Sequence, residues 1–83
     1  MFSLFEYNYN NIFEYYFLYM LAYSRTMISN NFDSLLITNR AFVKLSSRLH
    51  IIKDFTNAKI FLEETIRNSC LNYLRNIKED VSL

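Results

Sequence analysis

The sequence predicts a small all-α bundle of three main helices, and three observations carry that expectation. Glycine and proline are both absent from the 83 residues, so positive-φ hairpin turns and proline kinks lack the residues that suit them. Apolar residues recur at three- and four-residue steps along most of the chain, the period of one helix face. Polar clusters interrupt that pattern at Ser29-Asn30-Asn31 and around Lys53-Asp54 and Thr56-Asn57, residue types that turn the chain and cap helices.

The first helix is expected over about 12–28. Asn11 stands three residues before Glu14, the spacing of a capping box, in which the Asn side chain accepts a first-turn N–H and the Glu reaches back. Ser3 and Glu6 repeat that spacing and predict a short extra helix at the N-terminus, with Asn8, Asn10 and Asn11 separating the two. The second helix is expected over about 33–52, capped by Asp33 or Asn31. Its stripe is Leu35, Phe42, Leu45, Leu49 and Ile52, with Thr38 filling the gap and Leu36 and Val43 off the stripe. A strand over the same residues is disfavoured, because three apolar residues stand together at 35–37 and again at 41–43, which breaks alternation. The third helix is expected over about 57–79, capped by Thr56 or Asp54. It sets Ala58, Leu62, Ile66, Cys70, Tyr73, Ile77 and Val81 on one side, and Glu63, Glu64, Arg67, Arg75, Lys78 and Glu79 mostly on the other.

No linker or repeat divides the chain, so residues 1–83 are read as a single small domain. A domain of this size buries a modest share of its surface. One cysteine makes no internal disulfide, and His50 with the distant Cys70 has no metal-ligand spacing. A partner surface is the remaining source of extra stability. The wealth of Phe, Tyr, Asn, Ile and Leu beside scarce Ala matches an AT-rich coding sequence, of the kind found in organelle, virus, phage, endosymbiont or parasite genomes. Net charge is +1, with all nine Lys and Arg residues lying after Ser24. That excess is small for a protein whose affinity would come from nucleic-acid phosphate.

Residues 11–23, NIFEYYFLYMLAY, are the greasiest stretch. A membrane span needs about 20 mostly apolar residues, whereas Glu14 and Arg25 bound an uncharged run of half that length. No Lys or Arg precedes the run, as a secretory signal would require, so cytosol or organelle interior is the favoured location. Six of the seven tyrosines fall in the N-terminal part, and tyrosine suits interfaces because it joins a large apolar ring to a polar tip. The expected partner-binding residues are Tyr15, Tyr16, Phe17, Tyr19 and Tyr23. The partner would be another protein or a second copy, with residues 12–28 lying in or on a bilayer as the alternative.

Arg40, Lys44 and Arg48, at four-residue steps, form a candidate anion-binding ridge for nucleic-acid phosphate, anionic lipid or an acidic partner. Catalysis is not expected, nor is a cofactor or metal. His50 has no carboxylate or serine at a suggestive spacing, and phosphate-cradling loops and nucleophile elbows require the glycine this chain lacks. Residues 30–45, NNFDSLLITNRAFVKL, resemble a segment of the bacterial RNA polymerase omega subunit through Asn30, Phe32, Asp33, Leu36, Arg40 and Leu45, and KIFLEETI at 59–66 resembles that family's second helix. The basic run of the family is reduced here to Arg40 and Lys44, and the aromatic N-terminus has no counterpart in it. The resemblance implies a helper subunit that latches a large polymerase subunit. The residues themselves point to a non-catalytic interaction protein, an accessory or assembly subunit or a small viral or phage effector, acting through the aromatic N-terminal helix.

Overall fold

A computed structural model describes residues 6–81, with side chains as far as Ile77. Three helices make an up-down-up bundle: α1 (Tyr9–Met27), α2 (Asn31–Ser46) and α3 (Phe55–Val81), each packed against the other two. The chain turns twice without any positive-φ residue among those described. Asparagine and aspartate serve instead as N-caps. The Asn8 side chain accepts from the Asn11 N–H at 2.9 Å, Asn30 from the Asp33 N–H at 2.9 Å, and Asp54 from the Asn57 N–H at 2.8 Å. Each bond satisfies one of the donors that every helix start leaves orphaned.

The predicted three-helix architecture is present, with shifted boundaries that have local causes. α1 starts three residues early because Asn8, and not Asn11, is its cap. Asn11 becomes the third helical residue and donates its side-chain N–H to the Glu6 carbonyl at 2.8 Å, while Glu14 is exposed on the helix surface. Ser3 lies outside the described residues, and Glu6–Asn8 are not helical. That lead-in is fastened by Tyr7, which donates its hydroxyl to the Ile52 carbonyl and sets its ring edge-on to Phe55 at 5.4 Å.

α2 ends at Ser46, not at 52. There the Ser46 and Ser47 hydroxyls donate to the carbonyls of Val43 and Lys44 at 2.6 and 2.7 Å, and the backbone tightens to three-residue steps such as Arg48 N–H to Leu45 carbonyl at 2.8 Å. Serine hydroxyls that back-bond to the last turn compete with the helical ladder. Leu49 and Ile52 still pack against the core, from the turn. The inward stripe of α2 also differs from the expected one. Leu35 is partly exposed, whereas Ser34, Ile37, Thr38, Ala41, Phe42 and Leu45 are buried.

The apolar face of α3 is as expected from Ala58 through Leu62, Ile66 and Cys70, all fully buried, to Tyr73. Ile77 is exposed because α3 outruns its neighbours. Its 27 residues span about 40 Å, against about 28 Å for α1 and 24 Å for α2. Tyr73 ties this end down by donating its hydroxyl to the Asp33 carboxylate at 2.5 Å, across 40 residues of sequence.

That bond makes a pH prediction. The hydrogen bond to Asp33, followed by burial and the charge of Asp33, raises the Tyr73 pKa above its usual 10.0. The folded phenol holds its proton more tightly than the unfolded one, so its contribution is complete below pH 10 and is lost as pH rises through the folded value. Tyr73→Phe is therefore expected to be less stable than the natural chain near neutrality, with the gap narrowing at about pH 11. Urea midpoints of both chains at the two pH values measure this, and a gap that is constant or widens with pH contradicts it.

Candidate interaction surface

α1 is apolar on two sides. Consecutive helical residues turn by about 100°, which sends Ile12, Met20 and Ser24 inward, where they are fully buried. The flanks of that face are aromatic. Phe13 stacks on Phe17 at 4.7 Å, and both rings meet Phe42 of α2, at 5.1 and 5.7 Å. On the other flank Tyr16 and Tyr23 lean toward α3, Tyr16 lying 6.4 Å from Phe55. Burial raises the Tyr16 pKa, with the nearby Lys59 charge opposing.

The opposite side of α1 is open. Tyr15 is 73% exposed, Leu18 76% and Tyr19 48%, and Ala22 beside them is exposed as well. Tyr15, Leu18 and Ala22 lie within about 60° of one another around the helix, with Tyr19 on one edge of the stripe. Tyr15 is braced by Tyr16 at 5.0 Å and by Phe55 at 6.3 Å. The Tyr19 ring carries the Lys59 ammonium at 5.3 Å, and Lys59 pairs in turn with Glu63 at 3.9 Å. The rings are thus held in place by their neighbours.

The five aromatic residues expected at the interface are divided by this geometry. Tyr15 and Tyr19 stand on the open face, whereas Tyr16, Phe17 and Tyr23 are half-buried against the core. Sequence reasoning passed over Leu18 and Ala22. The signal was there in the 15, 18, 22 spacing, which runs opposite the Met20 and Ser24 side of the helix. A depression of about 230 Å³ between α1 and α3, lined by Tyr23, Ile60, Glu63, Glu64 and Arg67, continues the surface on the α3 side.

Arg40 and Lys44 are exposed one turn apart on α2, while Arg48 is exposed in the turn beyond the helix end. The expected ridge is therefore two helical residues and a turn residue. His50 is exposed in the same turn. Cys70 is buried with its Sγ 3.8 Å from the Ser24 hydroxyl, and burial pushes its thiol pKa up, with the Ser24 contact opposing. Among the described residues no three His, Cys, Asp or Glu side chains are grouped so as to hold a metal ion, and no helix is long and apolar enough to cross a membrane.

No family model matches the chain, and no curated protein or solved structure is significantly similar to it. The likeness to the omega subunit rests on residues 30–45 and 59–66 alone.

Proposed function

We propose that this chain is a non-catalytic interaction protein, an accessory or assembly subunit or a small viral or phage effector, that binds a protein through the outward face of α1. The supporting observation is that face itself: Tyr15, Leu18 and Tyr19 are exposed together on one stripe of a helix whose other side already supplies the core. A surface helix of a self-sufficient bundle keeps polar residues on its outer side. A contiguous apolar stripe marks a contact surface, and tyrosine is enriched among the residues that dominate binding energy.

The test is a chain carrying Tyr15→Ser, Leu18→Ser and Tyr19→Ser. With the ring contacts of Tyr15 and Tyr19 included, each substitution costs about 1 kcal/mol or less, and because the core residues are untouched the variant is expected to keep its helical circular dichroism. Its affinity for the partner captured by the natural chain is expected to fall by roughly a hundredfold. Undiminished capture by the folded variant refutes the assignment. Flotation of the natural chain with anionic vesicles, abolished by the same substitutions and without a protein partner, replaces it with a bilayer-surface role.

A further inference from the structure

We infer that the occupant of the α1 face is a second copy of the same chain, paired antiparallel along α1. This deepens the interaction reading above and rests on it. Three features of the face are self-complementary. First, Tyr15, Leu18, Ala22 and Arg25 follow at alternating three- and four-residue steps, the spacing that keeps a seam against another helix.

Second, the seam is bordered on one edge by Glu14 near its start and Arg25 near its end, both exposed, three turns or about 16 Å apart along the axis. Neither has an ion-pair partner among the described residues, where the ion pair present is Lys59 with Glu63. A two-fold axis running between the two copies of α1, perpendicular to both at the level of residues 19 and 20, preserves that edge and reverses the helix. It brings each Glu14 beside the Arg25 of the second copy, at both ends of the seam. A parallel two-fold pairing would put the two Glu14, and likewise the two Arg25, at one level on opposite edges of the seam, with no opposite charge beside either.

Third, the same axis puts each Leu18 against the second copy's Ala22, the large side chain over the small one, so the helices can approach closely. Such an interface is isologous, the commonest form of soluble homo-oligomer, in which one patch pairs with itself. The amount of surface fits a modest association. Tyr15, Leu18 and Tyr19, at the exposures given above, present on the order of 400 Å² per copy. With Ala22 and the stems of Glu14 and Arg25, two copies bury about 1,000 Å², the lower end of specific interfaces.

Sedimentation equilibrium of the full chain tests this. The expected result is a reversible dimer with a dissociation constant on the order of micromolar. Glu14→Arg or Arg25→Glu alone is expected to weaken it about tenfold or more, since each places like charges together at both ends. The double variant Glu14→Arg with Arg25→Glu restores opposite charges and is expected to return within about threefold of the natural chain. All these positions are exposed, and circular dichroism verifies that the fold is kept. A monomer at about 1 mM overturns the inference, and so does a dimer indifferent to the single swaps or one that the double variant fails to restore. A monomeric chain that still captures a different protein through Tyr15 and Leu18 removes the second copy but leaves the interaction reading in place.

Discussion

Phe42→Ala is expected to destabilise the bundle by about 3–5 kcal/mol. Phe42 is the largest of the fully buried side chains and sits where α1 meets α2, its ring edge-on to Phe13 at 5.1 Å and tilted against Phe17 at 5.7 Å. Truncation removes the transfer energy of the ring, leaves a cavity that neighbours held by their own stacking cannot collapse into, and forfeits the aromatic contacts themselves. Domains of this size are stable by roughly 4–12 kcal/mol, so the variant loses about a quarter or more of what holds it folded. Phe32, on the same helix but exposed, is the internal control, for which alanine should cost about 0.5 kcal/mol or less. Urea unfolding of both variants measures the contrast. Equal losses at the two positions contradict the placement of α2 against α1.

The pair also shows what was legible in the sequence. Phe32 and Phe42 are chemically identical, and the inward place of Phe42 follows from its three-residue step to Leu45. Leu35 was misread by the same logic. Hydrophobicity favours Leu35 for the core, but the buried positions include Ser34 and Thr38, whose hydroxyls are satisfied by the carbonyls of Asn31 and Ser34 at 3.1 and 2.8 Å. Small self-satisfied side chains let helices approach, and a transfer scale holds no information about that distance.

Helix starts were legible to within a few residues because Asn and Asp cap by one mechanism. Asn8, Asn10 and Asn11 offer the same cap chemistry, and the choice among them depends on tertiary contacts such as the docking of Tyr7 on Phe55. The end of α2 was not legible, since Leu49 and Ile52 keep the apolar rhythm through a turn as well as they would through a helix. For the surface, residue type found Tyr15 and Tyr19, whereas Leu18 needed the angle around the helix. Angle also separates these from Tyr16, Phe17 and Tyr23, which share their chemistry and turn toward the core.

Ser24 provides the second large effect, with opposite outcomes for two substitutions. Its hydroxyl donates to the Ser34 carbonyl at 3.3 Å and lies 3.8 Å from the Cys70 sulfur, so one residue from each helix meets at a fully buried point. Ser24→Ala removes a long hydrogen bond without orphaning its acceptor, because the Ser34 carbonyl also receives the Thr38 hydroxyl. Its expected cost is about 1 kcal/mol or less. Ser24→Leu must place three more carbons at the fully buried point where residues of all three helices meet, and overpacking of that kind costs about 3 kcal/mol. Cys70 supplies an independent readout. Its buried thiol, with its pKa pushed up by burial, reacts with an alkylating reagent only when the bundle opens. Labelling should therefore be roughly a hundredfold faster in the Leu variant, by the same energy difference, and little changed in the Ala variant. If Leu stabilised the chain or slowed labelling, the three helices would have to stand far enough apart to leave a cavity, and close approach through small residues could not be what sets the register of α2.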